Sequence, residues 1–317
     1  MNRANRLTVA RIEGAFTQID PVFLNTPQYI NDPLSSLFDV NLVLKIETLN
    51  PIRSFKGRGA EWLVSKVDSG TSLICASAGN FGQAMAFACR KRNIKLTVFA
   101  SQKASTFKIE RMRSYGATVI LYGEDFDAAK LEAKNVAKEQ SMRYIEDSLD
   151  IETVEGAGTI GLELLRFPQT IDVLLVALGN GAMINGISCI YKKYSPETKI
   201  IAVQAEGASA MVESWHSGTL ISHEVVNTIA DGIAVRIPVP QALEDMKGLV
   251  DDAILVKEES IYTAMKLLHA HAGIIVEPSG AVGIAALLEH AEKYKGKTVA
   301  TIICGSNLTD EQIEEWL

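Results

Sequence analysis

The feature that most constrains this chain is an alternation: short apolar runs rich in β-branched residues are each followed by a longer amphipathic stretch. The runs at 42–46, 72–76, 95–100, 117–122, 173–178, 199–204 and 298–304 read as strands. The stretches near 57–67, 81–92, 105–115, 126–140, 152–167, 182–191, 260–272, 280–294 and 310–316 read as helices. Strand then helix, repeated, predicts an α/β fold with parallel sheets and helices on both faces. The runs are apolar throughout rather than alternating, as strands buried on both faces are.

At 317 residues the chain is too long for one compact core of ordinary size and comfortable for two lobes. No linker, low-complexity segment or internal repeat marks a boundary, although a polar turn at 147–150 separates two strand–helix series. A content of 47% hydrophobic and 22% charged residues excludes a disordered chain. The net charge of −7 gives no general attraction for phosphate backbones, so nucleic acid is not an expected partner. No apolar run approaches the ~20 residues of a membrane span, and residues 1–11 lack the apolar core of a secretory signal. The four cysteines (Cys75, Cys89, Cys189, Cys304) are scattered without a C-x-x-C pair. Reduced, mostly buried thiols in a cytoplasmic protein are therefore expected. The five histidines show no metal-ligand spacing.

In open α/β sheets ligands bind beyond the carboxyl ends of strands, where helices begin. Four such turns carry chemistry. The first, Arg53 to Ala60, places Lys56 after Phe55 at a helix start, where the dipole disfavours a cation and partial burial would make the amine a usable nucleophile. The second, Ser77-Ala78-Gly79-Asn80-Phe81-Gly82-Gln83, offers small residues and free N–H groups to a carboxylate or phosphate. Taken alone it is also an ordinary capped turn. The third, Gly179-Asn180-Gly181-Ala182-Met183-Ile184, reads as a cradle for a single phosphate. A dinucleotide fingerprint would need a third glycine where Ile184 stands, and no Gly-Lys-Ser/Thr follows to make a nucleotide P-loop. The fourth, Cys304-Gly305-Ser306-Asn307, follows the last strand.

These turns, in this order, resemble the fold type II pyridoxal-phosphate enzymes, and most of all the threonine/serine dehydratases. Ser54 to Ala60 matches the pattern Ser-Phe-Lys-x-Arg-Gly-Ala, and Ser77 to Asn80 matches Ser-Ala-Gly-Asn. The stretches 204–208, 228–235 and 277–281 are dehydratase-like as well, so the likeness runs from about residue 50 to 307. The resemblance implies two open, twisted, mostly parallel sheets, with a small substrate-closing lobe (70–148) inserted into a large cofactor-binding lobe (1–69 and 149–317). It implies that Lys56 bonds covalently to pyridoxal 5'-phosphate, that Phe55 lies against the ring, and that Asn80 meets the ring hydroxyl. Gly179, Asn180, Gly181, Ala182 and Met183 would hold the phosphate, and Glu277 and Cys304 would complete the cofactor site, with Cys304 beside the pyridine nitrogen. Ser77, Ala78, Gly79, Asn80 and Phe81 would hold the substrate carboxylate. The implied reaction is β-elimination from L-threonine or L-serine to a 2-oxo acid and ammonia, in a homodimer.

Several positions depart from the pattern. Ala78 stands where related racemases carry a proton-donating serine, which disfavours racemisation. Phe81 replaces the usual histidine, making the pocket wall more apolar. A bulkier β-hydroxy amino acid of the 3-phenylserine or 3-hydroxyaspartate type is therefore an alternative, as is β-replacement on the same fold. Some relatives bind a divalent cation through two carboxylates. Glu206 matches one, but Val212 stands at the other position, so no metal is expected. Asn180 and Ala182 replace glycines of the phosphate turn. The length leaves no room for a regulatory module after Leu317, so feedback control by isoleucine is not expected.

Overall fold

The structure is a computed structural model and describes residues 6–317. Its strands are β1 (Gln28–Ile30), β2 (Asn41–Ile46), β3 (Ser72–Ala76), β4 (Lys95–Ala100), β5 (Thr118–Leu121), β6 (Arg143–Ile145), β7 (Val173–Ala177), β8 (Lys199–Ala205), β9 (Asp252–Val256) and β10 (Thr298–Ile303). The α-helices are α1 (Val9–Phe16), α2 (Asp32–Phe38), α3 (Lys56–Val64), α4 (Asn80–Lys91), α5 (Thr106–Ser114), α6 (Phe126–Glu139) and α7 (Ile151–Leu164). They continue as α8 (Ala182–Tyr194), α9 (Ala210–Ser217), α10 (Pro240–Met246), α11 (Glu258–Ala272), α12 (Pro278–Tyr294) and α13 (Asp310–Trp316).

The strands form two sheets. One has six strands in the order β1-β2-β10-β7-β8-β9, and only β1 runs antiparallel to its neighbour. The other has four parallel strands in the order β5-β4-β3-β6. The central strands β7 and β10 are buried at every residue, which is why β7 is apolar throughout and β10 carries no polar residue but Thr298 and Thr301. The expected α/β class with open, mostly parallel sheets is what the chain adopts. Three strands carry no sequence signal of that kind. β1 and β6 have three residues each, and β9 is a half-exposed edge strand.

What positions the chemistry is the contact of α3 with α7. A Cβ at Gly59 would lie 2.6 Å from the Thr153 carbonyl oxygen, and one at Gly156 would lie 2.5 Å from the Arg58 carbonyl oxygen. Only glycine lets the two backbones approach so closely. That approach buries Arg58, two residues after Lys56, completely. Its guanidinium donates from Nε and Nη2 to the two oxygens of Glu47 (2.7 and 2.8 Å) and from Nη1 and Nη2 to those of Glu163 on α7 (2.7 and 3.0 Å). The remaining Nη1 hydrogen goes to Thr159 Oγ1 at 3.0 Å, so all five donors are used. Lys45 Nζ donates to Glu163 Oε2 at 2.5 Å and to the Thr26 carbonyl at 2.7 Å. Two buried cations thus face two buried carboxylates.

Burial alone would raise the Glu163 carboxyl. The hydrogen bonds and charges of Arg58 and Lys45 outweigh it and hold the group down to about 2, from an ordinary 4.5. Because the folded-state value is depressed, the unfolded chain binds more protons between these limits and stability rises with pH there. We expect about 3 kcal/mol of stability to be present above pH 4.5 and to disappear as the pH falls toward 2. Glu163→Gln leaves Arg58 and Lys45 undercompensated and should cost roughly 3–5 kcal/mol near neutral pH. Urea unfolding of both proteins across this pH range checks both figures. A difference below 1 kcal/mol near neutrality would contradict them.

Candidate active site

The carboxyl ends of β3, β7 and β10 and the first turns of α3, α4, α8 and α12 meet around one cleft of about 390 Å³. All four turns marked in the sequence line it. A larger open depression of about 700 Å³ beside β9, lined by His216, Ile254, Leu255 and His290 among others, gathers no lysine nucleophile and no glycine turn.

Lys56 opens α3 with its amine in the cleft. Nζ donates to Asp147 Oδ2 at 2.6 Å and stands 4.7 Å from the centre of the Phe55 ring. Phe55 is buried. The loop before them is fixed to the end of β10: Phe55 N–H donates to the Cys304 carbonyl (3.1 Å), and Ser306 N–H donates to the Arg53 carbonyl (3.0 Å). The first and fourth turns therefore hold each other.

The second turn is shaped by its own serine. Ser77 Oγ accepts from the N–H groups of Gly79 (3.2 Å) and Gly82 (2.9 Å), so the hydroxyl retains only its proton to offer a ligand. The N–H groups of Asn80 and Phe81 lie in the first turn of α4, where a helix has no internal acceptor for them. Ala78, Gly79 and Phe81 also line the cleft.

Asn80 is oriented from both ends. Its Nδ2 donates to Glu277 Oε1 at 2.7 Å, and its Oδ1 accepts from Asn307 Nδ2 at 2.8 Å. Burial raises the Glu277 carboxyl above its ordinary value, and the nearby charges only partly offset this. Glu277 Oε2 accepts from Asn307 N–H at 3.1 Å. Burial, with the Glu277 charge adding to it, pushes the Cys304 thiol well above its ordinary value and keeps it neutral.

In the third turn Gly181 takes φ +87° as the residue before α8, while Asn180 and Ala182 keep negative φ. One glycine thus supplies the left-handed residue, and the two non-glycine substitutions are unstrained. Gly179, Asn180, Gly181, Ala182 and Met183 all face the cleft. The sequence-expected residues from Phe55 to Cys304 are therefore gathered in one place. Glu206 is apart from them, exposed in the turn after β8 and not lining the cleft.

Two polar residues of the cleft, Asp147 and Lys108, lie in no sequence motif, and three in or beside it, Asp231, Ser279 and Asn307, lie in motifs that gave them no role. Asp147 pairs with Lys56. Lys108 pairs with Asp231, and the carboxylates of Asp231 and Glu277 hold its ammonium above its ordinary value despite burial. Asn307 orients Asn80. Ser279 Oγ is buried, faces the cleft and has no protein partner.

The family described as pyridoxal-phosphate dependent enzyme matches residues 19–305. The catabolic L-threonine dehydratase of Staphylococcus aureus (strain USA300) is 35% identical over 315 residues, covering 97% of this chain and 91% of that protein. Among solved structures, the processed form of threonine deaminase isoform 2 from Solanum lycopersicum superposes with a TM-score of 0.89 at 30% identity, covering 98% of this chain and 89% of that one. Maize serine racemase superposes at 0.91 with 27% identity, covering 97% and 96%. A lysine amine at a helix start, a glycine turn at a second helix and a neutral thiol at a strand end are thus found in a chain matched almost end to end. It belongs to the family of pyridoxal-phosphate dependent enzymes, and pyridoxal phosphate is its cofactor.

Proposed function

We propose that this enzyme catalyses β-elimination from L-threonine or L-serine, releasing ammonia and a 2-oxo acid. The observation that carries this is the placement of the Lys56 amine in the same cleft as the open N–H groups of the Ser77–Phe81 turn, with no proton donor at Ala78. The residues present fit the cofactor. Lys56 is the amine for its aldehyde, Gly181 has a conformation that leaves the α8 N-terminus open to a phosphate, and Ser279 Oγ is a buried polar atom awaiting a partner. Phe55, Asn80, Glu277, Cys304 and residues Gly179 to Met183 would hold it. When bound, pyridoxal phosphate supplies an electron sink for the substrate Cα–H bond.

The chain's own residues do the rest. The N–H groups of Asn80 and Phe81 bind the substrate carboxylate at the start of α4, where the helix dipole favours an anion. That fixes the face presented to Lys56, whose amine accepts the Cα proton. Asp147 and the Phe55 ring both favour the ammonium that results. Asn80 is held against rotation by Glu277 and Asn307. Cys304 presents a neutral thiol rather than a carboxylate, which moderates the electron sink and favours prompt loss of the β-substituent. On the opposite face Ala78 has no proton to return, so the chirality is lost by elimination and not by inversion. Both cleft lysines already face carboxylates, which argues against a substrate with a second carboxylate such as 3-hydroxyaspartate.

The strand membership supports lobes at 70–148, which contains β3 to β6, and at 1–69 with 149–317, which contains the other strands. The family resemblance supports a cytoplasmic homodimer, which light scattering on the purified protein tests for assembly.

Lys56→Ala is expected to lower turnover of L-threonine by about 100- to 10,000-fold and to abolish the visible absorption of the lysine-linked cofactor. A coupled 2-oxo-acid assay and an absorption spectrum check this, and a colourless wild-type protein after cofactor addition would contradict it. Wild-type protein should form no D-serine from L-serine, whereas Ala78→Ser should form a detectable amount by chiral chromatography. Racemisation by the wild type would refute the one-faced mechanism.

A further inference from the structure

Between α9 and α10 the chain runs through residues 218–239 with no regular element but a 3-10 turn at Asp231–Ile233. This strap supplies one wall of the cleft, through Val226 and the run from Asp231 to Val235. It is fastened to the turn after β8, where Asn227 N–H donates to the Gly207 carbonyl (2.8 Å), and to the start of α11, where Ile229 N–H donates to Glu258 Oε2 (3.0 Å). It also folds on itself. His223 N–H donates to the Arg236 carbonyl (3.1 Å), and Arg236 Nη1 donates to the Glu224 carbonyl (3.3 Å).

From the strap Arg236 reaches across to α6, a helix packed on the other sheet. Its Nε donates to Asp127 Oδ2 at 2.6 Å, and its Nη2 pairs with Asp127 and with Asp125 (3.3 Å to the latter). Asp125 caps α6 and Asp127 lies in its first turn. A partly exposed ion pair holds little by itself, but a guanidinium with all three nitrogens engaged on three groups is a geometric clamp. What matters is the residues beside those groups. Phe126 lies between the two aspartates, Val235 precedes Arg236, and Val226 stands two residues after Glu224, and all three line the cleft. Phe126 is 41% exposed, so packing from behind does not fix its place and the clamp does. Arg236 thus sets how closely three apolar side chains from two sides of the cleft stand together.

The rest of the cleft is already divided. The turn Ser77–Phe81 takes the substrate carboxylate, the turn Gly179–Met183 a phosphate, and Lys56 faces Cα. The wall of Phe126, Val226 and Val235 is left for the β-substituent, the part that varies among β-hydroxy amino acids. Resting on the β-elimination reading, we propose that Arg236 is a specificity-determining residue. By clamping the strap to α6 it holds this wall close, which admits the hydrogen or methyl group on the β-carbon of serine and threonine and shuts out an aromatic ring there. Arg236 touches no substrate and acts through the side chains it draws together. An apolar lining alone would suit a ring, and the clamp turns that lining into a limit on size.

The test uses the holoenzyme with L-threonine and L-threo-3-phenylserine, measuring 2-oxobutyrate and phenylpyruvate. In wild-type protein kcat/KM for threonine should exceed that for 3-phenylserine by about 100-fold or more. Arg236→Gln, which removes the charge, should narrow that ratio about 10-fold, mostly through the KM for 3-phenylserine, and Arg236→Lys should restore part of it. Phe126→Ala, which opens the wall and leaves the clamp in place, should narrow it as well. L-Phenylalanine carries the ring and no leaving group, so it reads the size of the pocket apart from the chemistry. It should inhibit threonine turnover more strongly in Arg236→Gln and Phe126→Ala than in the wild type. Because each ratio is internal to one protein, a loss of folded material does not move it. Use of 3-phenylserine by the wild type as well as or better than threonine, or an unchanged ratio in Arg236→Gln, would overturn the inference and leave the elimination reading standing. Turnover of neither substrate by the wild type would overturn that reading itself.

Discussion

The site depends on a cluster of charges that never touches it. Arg58, Lys45, Glu47 and Glu163 are buried together, and the Arg58 guanidinium spends all five of its hydrogens there. Arg58 lies two residues after Lys56 on the first turn of α3. Glu47 follows β2, Glu163 belongs to α7, and Thr26, which donates its hydroxyl to Glu47 (2.6 Å), precedes β1. One planar cation thereby fixes the start of α3 against three separate parts of the large sheet layer. Removing a partner leaves a desolvated charge, so the cluster tolerates few alternative packings. The glycine contact between α3 and α7 is what brings its halves within reach.

On that foundation the cleft divides its labour by element. Strand ends supply small residues and the neutral Cys304 thiol. Helix starts supply the Lys56 amine and free N–H groups. The turn after β6 supplies Asp147, and α5 supplies Lys108 to meet Asp231. Asn80, Glu277 and Asn307 form a chain that joins α4, α12 and the end of β10, so the small and large sheet layers are tied through one amide side chain.

Much of this was legible in the sequence because its cause is local. Strands buried on both faces are apolar at most positions, so β3 and β4 stand out with their observed bounds, and β7, β8 and β10 within a residue. Glycine turns announce places where backbone approaches a ligand. What was illegible depends on contacts distant in sequence. β9 has an edge exposed to solvent and a mixed pattern, and β1 and β6 are too short to show a period. α1 and α2 are brief helices held by Thr8 and Asn31 caps, at the edges of what periodicity resolves. Within the site, Lys56 and the turns Ser77–Phe81 and Gly179–Met183 carried a motif. Asp147 did not. It sits in a polar turn that reads as a lobe boundary, and only the fold brings it 91 positions back to Lys56. Asn180 and Ala182 replace glycines of the phosphate turn and fit it at negative φ, because the backbone gives Gly181 alone the left-handed conformation.

The account rests on Lys56 being the amine that takes the cofactor, in a cleft that also contains Lys108. Borohydride reduction of the holoenzyme, followed by digestion and mass spectrometry, locates the bond directly. The cofactor's mass should appear on the peptide containing Lys56 and on no other. A label on Lys108, or a reduced protein that carries none, would contradict it.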